Sequence, residues 1–210
     1  GDSDRIFFVD DTGTTIHPAI MRGILAKIFL KEHPGAKICY DIRPGRITLD
    51  MIEKAGGVPV VTRVGHSLIK AKAREVGAVF AGESSGHFFV NMPHGLFEVP
   101  EIITLKFLQE LSESAKSANE YIAPYKKYYH SGEINFSVQD KAEVFTRLRA
   151  QYGQYLASEL DGLSFDCGDW WFNVRASNTE NKVRLTVEGK QPNIVATKVA
   201  ELTNLITATI

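Results

Sequence analysis

What most limits the fold of this chain is a rhythm that runs to about residue 111. Short apolar runs of strand length alternate with longer segments whose apolar residues recur at helical spacing. "RIFFVD" is followed by Pro18 to Lys31, where Ile20, Met21, Ile24, Leu25, Ile28 and Phe29 share a helical period and Pro18 suits a first helical turn. Then come "KICYD", the helical "ITLDMIEKAGG", "VPVVTRV", the helical "SLIKAKAREVG" and "AVFAGE". That order predicts an α/β unit with a mainly parallel sheet and helices on its faces. "SGHFFVN" adds a strand, and Val99 to Leu111 a further helix.

Beyond Leu111 the style changes. Residues 112–129 turn to Ser, Lys, Asn, Glu and Tyr with Pro124 among them, which reads as a linker. "GEINFSV", "GLSFDC", "WWFNVRAS" and "KVRLTVEG" are strands, with helices over Asp140 to Tyr152 and from Asn193 onward. Strands in close succession predict a smaller, largely antiparallel α+β domain over 130–210. A chain of 210 residues, 44% hydrophobic and 23% charged, is large enough to bury two such cores.

Charge and cysteine use exclude some functions. With 24 basic and 25 acidic residues and no basic stripe, nothing points to nucleic acid, and a bound phosphate would need a local pocket. Cys39 and Cys167 lie far apart with no zinc spacing, which predicts two small core residues in a reducing, cytoplasmic setting. No secretory leader pattern is visible, and the apolar runs are too short to span a bilayer, so no membrane partner is expected.

Four stretches could carry chemistry. In "GDSDR", Asp2 and Asp4 can converge on a hard cation such as Mg2+, with Arg5 facing an anion held there. "AGESSGHFF" presents Glu83, Ser85 and His87 in a glycine-bearing loop where a strand ends, a set suited to sugar hydroxyls and proton transfer. "RVGHSLIK" puts His66 in a similar strand-to-helix turn, with Lys70 one turn on. In "RASNTENKVR", Arg175, Ser177, Asn178 and Thr179 make a cradle for a phosphate dianion, although Ser-Asn-Thr also suits any polar turn. "FFVDDTGTT" resembles the nucleophile strand of haloacid dehalogenase-type phosphotransferases, with Asp10 as nucleophile. That class needs a later metal-binding acidic motif, and here Gly168-Asp169 is followed by Trp170, Trp171, Phe172 and Asn173. "DDTGTT" is therefore read as a turn and a helix entry.

Taken together, the four stretches resemble the alpha-D-phosphohexomutases, the phosphomannomutases and phosphoglucomutases. "GDSDR" is similar to the family's Asp-Gly-Asp-x-Asp-Arg metal loop from its second residue onward. "GESSGH" matches the sugar loop Gly-Glu-x-Ser-Gly-His, and "RASNTEN" the phosphate loop Arg-x-Ser-Asn/Gly-Thr-Glu-Pro except at its last position. "VGHSLIK" lies between metal and sugar loops, as in the family.

The resemblance implies the C-terminal half of a four-domain enzyme. Residues 1–9 would end the second domain, 10–111 would form the third, and 130–210 the fourth, of TATA-binding-protein-like type. Asp2 and Asp4 would be metal ligands. Arg5 would face the phosphoserine. Glu83, Ser84 and Ser85 would hold the sugar, His66 and His87 would assist proton transfer, and Arg43 would lie near the sugar or its phosphate. Arg175, Ser177, Asn178 and Thr179 would grip the phosphate that is not reacting. The implied reaction interconverts hexose 1-phosphate and 6-phosphate through a phosphoserine and a 1,6-bisphosphate, with mannose favoured over glucose. No phosphoserine loop occurs in these residues, so the chain alone is expected to bind and not to turn over its substrate. Two departures stand out: Asn181 replaces the usual proline, and "HGLFEVPEII" replaces an acidic stretch expected after the sugar loop. The rival reading is a non-catalytic sugar-phosphate-binding module.

Overall fold

The computed structural model describes residues 4–177 and 180–208. The chain divides into two compact units, Gly1–Asp41 with Gly45–Lys127, and Ile42–Pro44 with Tyr128–Ile210.

The first unit carries α1 (Pro18–Glu32), β1 (Lys37–Asp41), α2 (Arg46–Lys54), β2 (Val58–Thr62), α3 (His66–Val76), β3 (Phe80–Gly82), β4 (Phe88–Met92), β5 (Gly95–Glu98), α4 (Pro100–Ser114) and α5 (Ala118–Ile122). Its five-stranded sheet runs β2-β1-β3-β4-β5. β2, β1 and β3 are parallel, whereas β4 and β5 return antiparallel. The reason is loop length. Only Glu83–His87 separates β3 from β4, and a parallel return needs a crossover of a dozen or more residues. Cys39 packs with Ile69 and Ala73 of α3, while Tyr40 lies beneath the Arg22 guanidinium of α1. Neighbouring strand residues point to opposite faces, so α1 and α3 cover opposite sides of the sheet. Burial of β1 from Ile38 to Asp41 follows.

Two readings change. "RIFFVD" is not a strand of the sheet. Arg5 and Val9 make only single bridges, to His87 and Thr15, and Phe7 and Val9 remain exposed. Asp10 explains the turn that follows, because its Oδ1 accepts from Thr12 N, Thr12 Oγ1 and Thr14 N at 2.6–3.0 Å. These donors, the Thr12 hydroxyl first, hold the Asp10 carboxyl below its usual range. Residues 112–129, read as a linker, instead contain the end of α4, all of α5 and a 3-10 turn at Ala123–Tyr125. Ser117 caps α5 through a capping box.

Glu110 of α4 pins this segment. It accepts from Lys27 (2.9 Å) and Lys31 (2.5 Å) of α1 and from the Tyr121 hydroxyl of α5 (2.7 Å). Three helices are thereby tied to one carboxylate.

The second unit carries β6 (Tyr129–Ser137), α6 (Lys141–Tyr152), β7 (Leu156–Ser158), β8 (Leu163–Asp166), β9 (Trp170–Ala176), β10 (Lys182–Gly189) and α7 (Pro192–Thr207). Its sheet is antiparallel throughout, in the order β6-β10-β9-β8-β7. Trp170 and Phe172 stack on the core side of β9 (5.2 Å), and Tyr152 of α6 meets both edge-on. Trp171, between them, sends its indole N–H to buried Glu188 at 2.6 Å. Burial pushes the Cys39 and Cys167 thiols up to about 11, as expected of inert packing residues.

Burial alone would raise the Glu110 carboxyl, but Lys31, Lys27 and Tyr121 outweigh it and hold it at about 2. The folded value lies below the unfolded one, so this stabilisation is present above about pH 4.5 and is lost as the pH falls toward 2. Glu110→Gln should cost roughly 2 kcal/mol at pH 7, discounted for the half-exposed Lys31. Melting curves of both proteins should converge as the pH is lowered through that window. A gap that stayed constant would show that the carboxylate charge does not hold these helices.

Candidate functional site

The strand order 2-1-3 makes β1 and β3 a switch point, because the chain leaves β1 to one side and returns on the other. Ligands of open α/β sheets bind outside the carboxyl ends of strands at such a point. Here those ends are Asp41 and Gly82, with Glu83–His87 directly after.

The loop is held from three directions. Within it, Glu83 N–H donates to His87 O (2.9 Å) and Gly86 N–H to Glu83 O (3.2 Å). From the N-terminal side, Ile6 N–H donates to Gly86 O at 3.0 Å, and Arg5 bridges His87. Gly86 has φ +89°, and a Cβ there would stand 2.9 Å from the Phe7 ring and 3.1 Å from Ile6 O, so only glycine fits without strain. From below, Asp41 Oδ2 accepts the Ser84 N–H at 2.5 Å and Asp41 Oδ1 the Ser84 hydroxyl at 3.2 Å. Arg22 completes this floor, with Nη1 3.0 Å from Ser84 Oγ and 3.3 Å from Asp41 Oδ2. Both members of that ion pair are fully buried.

Above the floor lie the titratable groups. Glu83 is buried; its Oε1 accepts the Gly65 N–H at 2.9 Å and its Oε2 lies 3.4 Å from the Ser85 hydroxyl. Gly65 immediately precedes α3, so Glu83 fixes where His66, the first residue of that helix, begins. Glu98, closing β5, reaches both imidazoles: Oε2 is 2.6 Å from His66 Nε2 and Oε1 is 2.7 Å from His87 Nδ1. Neutral rings bonded this way carry their protons on those nitrogens, leaving His66 Nδ1 and His87 Nε2 as the acceptors. The imidazoles meet edge-on at 5.1 Å, and Phe89 packs against both. Asp4 Oδ2 lies 3.8 Å from His87 Nδ1. Among the described residues Asp4 Oδ1 is buried without a hydrogen-bond partner, with Arg5 Nε 3.9 Å away.

The first unit thus brings together Asp4, Arg5, His66, Glu83, Ser84, Ser85 and His87. Asp2 lies outside the described residues. Arg43 belongs to the 42–44 segment that groups with the second unit. In that unit Arg175 Nη2 donates to Glu133 Oε2 at 2.7 Å, and Arg184, its cross-strand neighbour, reaches Glu133 Oε1 at 3.2 Å. Ser177 is buried and its Oγ accepts the Glu180 N–H. Lys141 donates to Ser177 O (3.0 Å) and Glu180 O (2.8 Å), and Asn181 ties the far side to Val138 O. Asn178 and Thr179 lie outside the described residues.

Sequence reasoning missed Arg22, Asp41, Glu98, Glu133 and Lys141. Two of them did leave a signal: Arg22 is the lone charge in "AIMRGILA", and Asp41 directly follows the apolar run at 38–40.

Residues 18–128 match the domain described as phosphoglucomutase/phosphomannomutase, alpha/beta/alpha domain III, and residues 133–205 match the phosphoglucomutase/phosphomannomutase C-terminal domain. The chain therefore belongs to the phosphoglucomutase/phosphomannomutase family. It is 41% identical over 206 residues to a phosphomannomutase of Methanocaldococcus jannaschii, covering 98% of this chain and 46% of that protein. It is 38% identical over 211 residues to a protein of Xanthomonas campestris described as phosphohexose mutases, covering 98% and 47%. Among solved structures, a phosphoglucomutase/phosphomannomutase family protein of Burkholderia thailandensis superposes with a TM-score of 0.80 at 28% identity, over 98% of this chain and 44% of that one. The chain spans about half the length of the curated relatives it matches. Among the described residues no helix is long and apolar enough to cross a membrane.

Arg22→Met would leave the Asp41 charge buried without its guanidinium. Removing one partner of such a pair costs about 3–5 kcal/mol, and urea unfolding should show a loss of that size. Adding Asp41→Asn should recover part of it. A loss below about 1 kcal/mol would mean that the pair does not support the loop.

Proposed function

We propose that this chain is the sugar-recognising and phosphate-gripping half of a phosphohexomutase that interconverts hexose 1-phosphate and 6-phosphate, with mannose the preferred hexose. The carrying observation is the convergence of Asp4, His66, His87 and the Glu83–His87 loop at the carboxyl ends of β1 and β3. In this scheme residues 1–9 end the second domain, 10–111 form the third, and 130–210 form a TATA-binding-protein-like fourth. A cytoplasmic location belongs to the same proposal.

Each group then has a physical task. Glu83 and Ser85 accept and donate to sugar hydroxyls, and burial of Glu83 fixes the direction of its carboxylate. Ser84 spends its amide and hydroxyl on Asp41, so it shapes the loop and offers the sugar little. His87 Nε2 and His66 Nδ1 are the free ring acceptors through which a hydroxyl proton could pass. Arg175 holds a phosphate through the N–H groups that Glu133 does not use. Ser177, Asn178 and Thr179 complete that grip, and Arg43 contributes a further positive charge toward the sugar phosphate.

The proposed reaction also needs a divalent metal. The donor set fits a hard cation on one point, the buried Oδ1 of Asp4, which has no hydrogen-bond partner among the described residues, and Asp2 and Asp4 would hold Mg2+. When bound, the ion neutralises charge on a transferring phosphoryl group, and Arg5 beside Asp4 adds to that neutralisation. Phosphoryl relay through a serine would be the work of the other half. The non-catalytic rival explains the two binding loops equally well, but it leaves the paired imidazoles without a purpose.

Purified as it stands, the chain should bind mannose 6-phosphate and show no mutase turnover in a coupled assay. Arg175→Ala should abolish the binding while melting within a few degrees of the parent. Calorimetry giving equal affinities would remove Arg175 from the phosphate site, and turnover above a no-protein blank would overturn the division of labour.

In the full-length enzyme, Glu83→Gln should impair mannose and glucose phosphates unequally, because the orientation of the 2-hydroxyl changes how the ring seats. Equal losses in kcat/KM would put hexose discrimination elsewhere.

A further inference from the structure

We infer that His66, His87, Glu98 and Asp4 form a site for a borderline divalent transition metal, of the Zn2+, Co2+ or Ni2+ class, which shares Asp4 with the aspartate loop proposed for Mg2+ and differs from it in its imidazole ligands. One donor atom from each of the four lies within 4.8 Å of the others. Two imidazoles and a carboxylate are a ligand set that zinc takes, with a fourth position for water or another carboxylate. Magnesium, a hard cation that favours oxygen and sheds water reluctantly, gains little from imidazole.

The side chains are already gathered by rigid elements. His66 opens α3, His87 sits at the entry to β4, and Glu98 closes β5. Asp4 is carried to them by the segment that Ile6 and Arg5 tie to the sugar loop. Phe89 packs against both rings and restricts how far they can turn away.

Loading the site requires only small movements. The present Glu98 contacts of 2.6 and 2.7 Å are hydrogen bonds. Ligand atoms around a tetrahedral metal with bonds of about 2.0–2.1 Å stand roughly 3.3–3.5 Å apart. Those two pairs open by less than about 1 Å, and donor atoms now up to 4.8 Å apart close by at most about 1.5 Å. The ring protons now facing Glu98 transfer to His66 Nδ1 and His87 Nε2, so neutral imidazoles become ligands without net proton loss. The consequence for activity, which rests on the function proposed above, is inhibition, since the metal would hold both imidazoles assigned to proton transfer. Binding itself does not depend on that reading.

The test is a titration of the 210-residue chain with Co2+, followed by visible absorption and then by competition with Zn2+. The expected result is one equivalent of Co2+ with the intense bands of four-coordinate nitrogen–oxygen ligation, displaced by Zn2+ but not by an equal concentration of Mg2+. His66→Ala and Glu98→Gln should each weaken binding at least about tenfold. His94→Ala, at an exposed histidine, should bind as the parent does. Circular dichroism checks folding, and if His66→Ala fails to fold, the near-isosteric Glu98→Gln decides. Weak octahedral bands would overturn the site, as would binding that survives both variants, or loss in Asp4→Asn alone, which would place the ion in the aspartate loop.

Discussion

Everything at the floor of the candidate site hangs from the carboxylate of Asp41. It ends β1 with no exposure, faces the Arg22 guanidinium, and accepts both the amide and the hydroxyl of Ser84. An isolated carboxylate there would be prohibitively costly, so Arg22 has to follow it into the interior. The pair is not an obvious gain in stability, because among the described residues Nε and Nη2 of Arg22 are buried without hydrogen-bond partners. Ion pairs of this kind are often matched by apolar residues of equal volume. What the pair adds is direction. It couples helix α1 to the Glu83–His87 loop, and through Glu83 and Gly65 to the start of α3.

That coupling explains which parts of the molecule were legible beforehand. Period and punctuation identified α1 from Pro18, α3 from its Gly-His entry, and the strands around Cys39, Ala81 and Val174, because local apolar spacing decides those elements. "RIFFVD" has the same composition but pairs only through single bridges at Arg5 and Val9. Residues 112–129 look polar enough for a linker, yet Tyr121 finds Glu110 on the preceding helix and the segment folds back. In the first case a strand-like segment is left with bridges alone, and in the second a contact between helices overrode polar local character.

The same distinction applies to the site. His66, Glu83 and His87 stood out because glycines and strand ends surround them in the sequence. Glu98 did not, since "HGLFEV" departs from the acidic stretch that the family resemblance suggested. Its role depends on β4 and β5 forming a hairpin, which returns residue 98 opposite Phe89, two positions from His87. Cross-strand register created that contact, and no spacing rule within one segment could have announced it.

Glu98 also sets a limit on what the two imidazoles can do. With one carboxylate oxygen on each ring, both nitrogens facing Glu98 are committed, and only the opposite nitrogens remain for a substrate. A cation entering between the rings would reverse that assignment, turning the inner nitrogens into ligands and the outer ones into donors. Proton acceptance from a sugar hydroxyl and ligation of a transition metal are then mutually exclusive states of the same four side chains. A hard cation held by carboxylates alone asks nothing of the rings and leaves the first state intact. The carboxylate that orients the histidines thus makes the site's chemistry depend on whether the ion that reaches it prefers nitrogen or oxygen.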